Sequence, residues 1–508
     1  MLASVTSLGL QGLLCYAVSV EADRYAEGMG FEIVGLPGAA VKESRERVRA
    51  SMHNSELTFP TGRVVVNLAP ADTAKDSTVY DLPVLLALLR AGELLPELPR
   101  EHAFVGELSM SGELRSVKGV LPMARACAQL GITRLYVPRG NENEAVLAGD
   151  VEVVGAATVQ ELLEMLNGHR PTLPASVAED GFEDGLPEDL PDFSEVRGQV
   201  RAKRALEIAA AGGHNLLMIG PPGAGKSMLA KRLLSILPPM TREEALQASE
   251  LHSVAGLLSE GKLLQARPFR APHHTISNVG LAGGGLRMRP GELSLAHCGV
   301  LFLDELPEFP RSALEVLRQP LEDGVITISR AAGSVTYPAR CMMVAALNPC
   351  PCGQFGSETG TCTCSQADIA RYLRRISGPL LDRIDLQVEV EALSYDELST
   401  PAEERSADIR ARVCAARERQ TERFSGTGIV SNSAMSHRQT AEYCMLSEEG
   451  EAFMRETFTA MRLSARSHDR LLKVARTIAD LAGEECIAPE HLAEAVQYRA
   501  LDRKYWKR

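Results

Sequence analysis

Through the first 170 residues, short alternating runs of apolar and polar positions trade places with longer stretches in which apolar residues return every three or four places. CYAVSVEA (15–22), FEIVGL (31–36) and RVVVNLAP (63–70) are Val-rich and alternate, the period of a strand with one buried face. AAVKESRERVRASM (39–52) and DLPVLLALLRAGELL (81–95) carry an apolar stripe at helical spacing. The pattern predicts an α/β domain over residues 1–170.

The periodicity then stops. PTLPASVAEDGFEDGLPEDLPD (171–192) is punctuated by Pro and Gly and carries Glu179, Asp180, Glu183, Asp184, Glu188, Asp189 and Asp192. Such a stretch reads as a solvated acidic linker. From 193 to 391 the order of helix, strand, Gly-rich loop, helix, insertion and strand predicts a parallel sheet with crossover helices. Residues 392–508 read as almost wholly helical, with apolar positions at helical spacing in HDRLLKVARTIADLAG and PEHLAEAVQYRALD. No long internal repeat is found.

Composition narrows this picture without changing it. The 508 residues are 45% hydrophobic and 24% charged, ordinary for a globular chain of several domains. No apolar run of about 18 residues suggests a membrane span, and the first residues lack a basic leader and a cleavage site. Eleven cysteines, seven of them scattered singly, suit reduced thiols in a cytoplasm. The net charge of −12 means that any contact with nucleic acid must come from a local basic strip.

The chemistry concentrates in the middle of the chain. NLLMIGPPGAGKSMLAKRLL holds an apolar strand, a Gly-rich loop and a helix. The loop Gly220, Pro221, Pro222, Gly223, Ala224, Gly225, Lys226, Ser227 fits G-x-x-x-x-G-K-[ST]. Its backbone N–H groups can turn around the phosphates of ATP, Lys226 can reach the β- and γ-phosphates, and the Ser227 hydroxyl can ligate Mg²⁺. In GVLFLDELPEF four apolar residues form a buried strand ending in Asp304, able to hold Mg²⁺ through water, and Glu305, able to polarise the attacking water. A third apolar strand, in CMMVAALNPC, ends at Asn348, placed either beside that water or in a simple Asn-Pro turn.

Two further features are less specific. NPCPCGQFGSETGTCTC sets Cys350, Cys352, Cys362 and Cys364 as two Cys-x-Cys pairs around a Gly-rich loop. Four thiolates gathered by a turn suit structural, tetrahedral Zn²⁺; the alternative is four reduced thiols on a mobile loop. The stretch from Lys262 to Arg289 contains Lys262, Arg267, Arg270, Arg287 and Arg289, with His273 and His274 and no acid. ITISRAAGSVTYPAR reads as a β-hairpin with Arg330 near its tip. Contacts from such residues to DNA phosphates would be sequence-independent and salt-sensitive. The alternative is ordinary basic decoration, and the two histidines read as structural.

The order DFSEVRGQ, GPPGAGKS, APHHTISNVGLAGGG, PGELSLAHCGVLFLDELPEF, ALNPCPCG and SGPLLDRIDL resembles the magnesium-chelatase-like AAA+ proteins. More closely it resembles the ComM/YifB family, competence-associated proteins that act as hexameric DNA branch-migration helicases. The resemblance covers nearly the whole chain. It implies an AAA+ core at 193–391 and a helical lid at 392–508. It also implies a homo-hexamer acting on single-stranded or branched DNA, with no membrane partner. Asn348 would be sensor 1, Arg466 in LSARSHDRLLKVAR sensor 2, and Arg383 in LLDRIDL an arginine finger donated to the next subunit's ATP. The alternative for Arg383 is a salt bridge with Asp382 or Asp385. The stretch from Lys262 to Arg289 would match the insertion that family members project into the ring channel, and the Arg330 hairpin resembles the pre-sensor hairpin of minichromosome-maintenance helicases.

Residues 1–170 resemble the proteolytic domain of Lon-type proteases. TAKDSTVYDLP and GELSMSGELRSVKGVLPMARA align with the segments carrying that family's serine and lysine, but those positions fall on Val79 and Met123. Neither can serve as nucleophile or base. Ser77 and Lys118 lie nearby, yet a scaffold or DNA-facing module is the expectation. Competing with a DNA motor are a chelatase-type motor subunit, an ATP-dependent protease and a scaffold without enzymatic activity.

Overall fold

The alternating runs pair as their period requires. A computed structural model describes residues 2–176, 190–258, 261–330, 333–356, 361–393, 404–461 and 463–506. Its first strands are β1 (Leu2–Gln11), β2 (Leu14–Tyr25), β3 (Gly30–Val34), β4 (Arg63–Ala69), β5 (His102–Phe104), β6 (Glu107–Leu108), β7 (Leu114–Arg115), β8 (Arg134–Pro138) and β9 (Glu152–Ala156). Seven of them form a mixed sheet in the order β3-β4-β2-β1-β5-β8-β9, with β6 and β7 as a separate ribbon. β1 was not among the expected strands, because its Ser, Thr and Gly dilute the apolar alternation. Its inward Ser7 is satisfied by donating to the Phe104 carbonyl at 2.9 Å.

The helices Ala39–Asn54 and Asp81–Ala91 pack on this sheet, the second ending at Gly92 rather than running on to Leu95. They are joined by a buried ion pair. Arg47 donates to both oxygens of Asp81, at 2.6 and 2.9 Å, and Asp81 is 0% exposed. The acidic stretch from Glu179 to Asp189 lies outside the described residues.

The second sheet comprises β10 (Leu216–Ile219), β11 (Phe269–Arg270), β14 (Val300–Leu303), β17 (Met342–Leu347) and β18 (Leu386–Glu389). Its order is β11-β14-β17-β10-β18 and every pairing is parallel, as the crossover pattern predicted. Val300–Leu303 and Met342–Leu347 are buried at every position, which explains their unbroken apolar runs. Two hairpins leave this core: β12 (Gly283–Gly284) with β13 (Arg289–Pro290), and β15 (Val325–Arg330) with β16 (Gly333–Pro338).

The two sheet systems share a joint. The helix Arg242–Ala255 starts on a Thr241–Glu244 capping box, and its Ala245 and Leu246 enter the core of the N-terminal sheet. Arg125 reaches across to Glu243 at 2.6 Å and Glu250 at 3.4 Å. After residue 404 the chain is helical, in Ser406–Arg423, His437–Tyr443, Glu448–Met461, Ala465–Ala482, Pro489–Gln497 and Leu501–Trp506. Among the described residues no helix is long and apolar enough to cross a membrane.

Removing one partner of the Arg47–Asp81 pair leaves a buried charge without compensation, a change that costs about 3–5 kcal/mol. Arg47→Met is therefore expected to lower the first unfolding transition of the full chain in urea. An unchanged midpoint would remove this pair from the account of the N-terminal fold.

Candidate functional site

In a parallel sheet all strands deliver their C-terminal ends to one edge, where ligands bind in open α/β folds. β10 feeds the Gly220–Ser227 loop, β14 ends at Leu303 beside Asp304, and β17 ends at Leu347 beside Asn348. The register Ile219↔Leu347 puts the loop next to Asn348, and Leu303↔Ala345 brings Asp304 alongside. The result is a cleft of about 330 Å³ lined by Pro222 to Met228, Asp304, Glu305 and Asn348.

Gly223 and Gly225 take φ of 79° and 91°, left-handed values that free the loop's N–H groups to face inward. Lys226, 8% exposed, donates to the carbonyls of Gly220 at 2.7 Å and Pro221 at 2.8 Å and to Asn348 Oδ1 at 3.1 Å. Burial pushes its pKa down, opposed by the charges of Asp304 and Glu305. Ser227 Oγ donates to Asp304 Oδ2 at 2.6 Å, so a hydroxyl and a carboxylate oxygen meet as a Mg²⁺ site requires. Glu305 sits at φ 51°, a left-handed conformation that costs a residue with a side chain on the order of 1 kcal/mol or more. Its carboxylate lies 3.3 Å from His274 Nδ1.

His274 is the residue that sequence reasoning missed. It was read as structural, because nothing in APHHT marks one histidine over the other. Only the neighbouring of β11 and β14 places it against Glu305. Pro272 to Thr275 leads on to the hairpin of Arg287 and Arg289, so the acid of the site touches the root of the basic insertion.

The four cysteines of the loop converge. Their sulfurs all lie within 4.8 Å of one another, with Cys350 at 3.4 Å from Cys352 and 3.7 Å from Cys362. A tetrahedron of thiolates at a Zn–S distance of about 2.3 Å has edges of about 3.8 Å, so the cluster fits Zn²⁺. Backbone donors at Gln354 and Thr363 hold the Cys352 thiol down, at about 6.

The two arginines expected at the nucleotide do not line the cleft of their own chain. Arg383 is 10% exposed and donates to the Arg318 carbonyl at 2.6 Å and the Pro379 carbonyl at 2.8 Å. Its ion pair is with Glu322, rather than with Asp382 or Asp385. Arg466 is exposed in the first turn of the helix Ala465–Ala482, without an ion pair among the described residues.

The basic stretch looks different in space. Arg267 pairs with Glu244 at 2.9 Å and Arg270 with Glu292 at 2.6 Å, while Arg287 lies 3.6 Å from Asp76. The window lacks acids in sequence, but acids from elsewhere neutralise much of it. Arg289 and Arg330 are exposed and carry no ion pair among the described residues. The two hairpins adjoin, since Tyr337 donates to the Met288 carbonyl at 2.8 Å; the N-terminal sheet meets the second of them, where Gln11 donates to the Ser334 carbonyl at 3.4 Å. Between Arg287 and Gly285, Leu286 stands fully exposed. In the N-terminal sheet Val79 and Met123 are 1% and 2% exposed. Ser77 caps a short 3-10 turn and Lys118 donates to the Ala255 carbonyl at 3.4 Å.

Comparison with known proteins gives a consistent picture. The family model described as magnesium chelatase, subunit ChlI, matches residues 192–398. Those for subunit ChlI of Mg-chelatase and for the ChlI C-terminal region match 20–141 and 403–499. The competence protein ComM of Haemophilus influenzae is 42% identical over 507 residues, 99% of this chain and 98% of its own. The YifB protein of Escherichia coli is 43% identical over 478 residues, 93% of this chain and 92% of its own. The DNA repair protein RadA of Streptococcus pneumoniae is 35% identical over 89 residues, 18% of this chain and 21% of its own.

Two substitutions separate binding from turnover at the cleft. Lys226→Ala removes the buried cation and is expected to abolish ATP binding. Glu305→Gln keeps the Ser227–Asp304 pair and is expected to bind ATP while hydrolysis falls by about 10²–10⁴, the usual worth of a positioned base. Turnover near the parent's in Glu305→Gln, measured by phosphate release, would assign the water-activating role elsewhere.

Proposed function

The chain belongs to the ComM/YifB family of magnesium-chelatase-like AAA+ proteins, and on that premise we propose that it is an ATP-driven, ring-forming DNA motor that promotes branch migration. The observation that carries the ATPase half is the meeting of Lys226, Ser227, Asp304, Glu305 and Asn348 in one cleft. Lys226 exchanges its carbonyl acceptors for the β- and γ-phosphate oxygens. Ser227 and Asp304 would hold Mg²⁺, which would supply positive charge beside the phosphates. Glu305 takes the proton of the attacking water, and Asn348 orients that water. Sensor-1 and water-activating roles thus fall on strand ends that the sheet holds rigidly.

No second fixed cation from the same chain reaches the cleft among the described lining residues. We assign that role to Arg383 of a neighbouring subunit in a homo-hexamer, with Arg466 as sensor 2. Arg383 would trade Glu322 for the γ-phosphate. Its backbone is firmly set for this, because Asn215 donates to the Arg383 carbonyl at 3.0 Å and Asp385 accepts from the Asn215 N–H at 3.1 Å. The cysteine cluster would hold one structural Zn²⁺.

The DNA half rests on the adjoining hairpins that present Arg287, Arg289 and Arg330 from an otherwise acidic protein. Similarity to a competence protein over nearly the whole chain, and to a DNA repair protein over 89 residues, supports the same substrate. The chelatase-type motor is the second reading, favoured by the family models that span the chain. A protease reading has no support in the buried Val79 and Met123.

ATP hydrolysis is expected to rise with single-stranded or branched DNA and to lose that stimulation as salt increases. Replacing Arg289 and Arg330 together by Ala should flatten the slope of log affinity against log salt by about 1 for each residue. Hydrolysis indifferent to DNA at every salt concentration would favour the chelatase-type reading instead. Arg383→Ala should lower turnover but not ATP affinity, and mixing it with Lys226→Ala protein should restore some hydrolysis at interfaces pairing an intact loop with an intact finger. No recovery, once subunit exchange is demonstrated, would make Arg383 a structural partner of Glu322 alone.

A further inference from the structure

The cysteine cluster is built into the nucleotide site rather than set apart from it. Cys350 follows Asn348 by two residues and is 0% exposed, packed in the core beneath β17. Cys364 immediately precedes Ser365, whose hydroxyl caps the helix Gln366–Leu373. A metal held by the four thiolates would therefore tie the exit of the sensor strand to the start of that helix. The short turn between Cys352 and Phe355 presses on the phosphate loop. Gly353 has φ 78°, and a Cβ there would lie 2.4 Å from Pro222 Cδ. Only a glycine lets the turn approach the loop that closely.

The other side of the cluster meets the end of the chain. Phe355 packs edge-on against Tyr505 at 6.3 Å between ring centroids. Tyr505 donates to Glu389 at 2.5 Å, and Trp506 Nε1 to the Leu373 carbonyl at 3.4 Å. The turn is thus held between the phosphate loop and the helix Leu501–Trp506.

We propose that the Cys350–Cys364 centre is a zinc-dependent brace that sets nucleotide affinity, through the Gly353–Pro222 contact on one side and the Phe355–Tyr505 contact on the other. The proposal rests on the ATP-site and zinc readings given above. With zinc bound, the turn holds Pro222 from outside and the loop keeps the curvature that points its N–H groups inward. Without zinc the turn has no fixed shape, and the loop must order itself when nucleotide binds, so affinity falls. A structural zinc elsewhere in the chain would stabilise the fold without this selective effect.

The test measures Mg²⁺–ATP affinity with a fluorescent nucleotide, zinc content by metal analysis and zinc release with a chromogenic chelator. The full chain should carry about one zinc. Cys362→Ser should lose it and raise the Kd for Mg²⁺–ATP roughly tenfold, with far-UV circular dichroism unchanged. Gly353→Ala keeps all four thiols; it should retain the zinc and still raise the Kd by a similar factor. A parent chain without zinc, a zinc-free Cys362→Ser chain of parental affinity, or a Gly353→Ala chain of parental affinity would each overturn the brace. No DNA enters these measurements, so failure of the DNA-motor reading is seen separately, as unstimulated hydrolysis. A parent that holds zinc but does not bind Mg²⁺–ATP would sink the ATPase reading and this inference together.

Discussion

A buried ammonium must be given acceptors, and the geometry of this protein's core follows from where Lys226 finds them. Two come from its own loop and one from Asn348, 122 residues along the chain. That third contact exists only because β10 and β17 are neighbours in register. β14 then flanks β17 on its other side and carries Asp304 to Ser227. The order β14-β17-β10 is consequently the least negotiable feature of the fold. Insertions between these strands are tolerated because each leaves the sheet as a crossover helix or hairpin and returns parallel.

The same accounting explains the arginines. An excess of acid gives many of the arginines a carboxylate partner: Arg47 with Asp81, Arg267 with Glu244, Arg270 with Glu292, Arg383 with Glu322. The Arg47–Asp81 pair is buried, whereas pairs nearer the solvent contribute little to stability but determine which positive charges remain available to a polyanion. Arg289 and Arg330 remain so on adjoining hairpins. A net charge of −12 and a basic contact surface are therefore compatible, since what matters is local pairing and not the total.

Much of this is legible in the amino-acid sequence. Continuous apolar runs marked β10, β14 and β17, because strands covered on both faces need no polar side. The phosphate loop and the Asp304–Glu305 pair followed from residue type at the strand ends. The α/β class and the parallel core followed from the alternation of periods. What sequence withheld was contact between distant segments. Glu322 lies 61 residues from Arg383, and nothing local favours it over Asp382 or Asp385. The approach of Gly353 to Pro222 and of His274 to Glu305 likewise depends on strand order. β1 was lost because its inward face includes Ser7, a polar residue whose hydrogen bond to Phe104 is invisible in one dimension.

The N-terminal sheet can be understood from the same constraint. Val79 and Met123 are both consumed by its core, so these positions contribute packing. Several of its polar side chains reach the ATPase core. Lys118 reaches Ala255, Arg125 reaches Glu243 and Glu250, Gln11 reaches Ser334, and Asp76 stands by Arg287. Two of these contacts grip the helix Arg242–Ala255, which follows the helix of the phosphate loop, and two touch the hairpins that carry the exposed basic residues. A domain fastened at both places fixes the spacing between the nucleotide cleft and the basic hairpins. The hairpins are short, and β12–β13 alone has too few pairs to hold a position, so its support must come from such neighbours. Through these contacts the sheet serves as the frame against which the ATPase core is held.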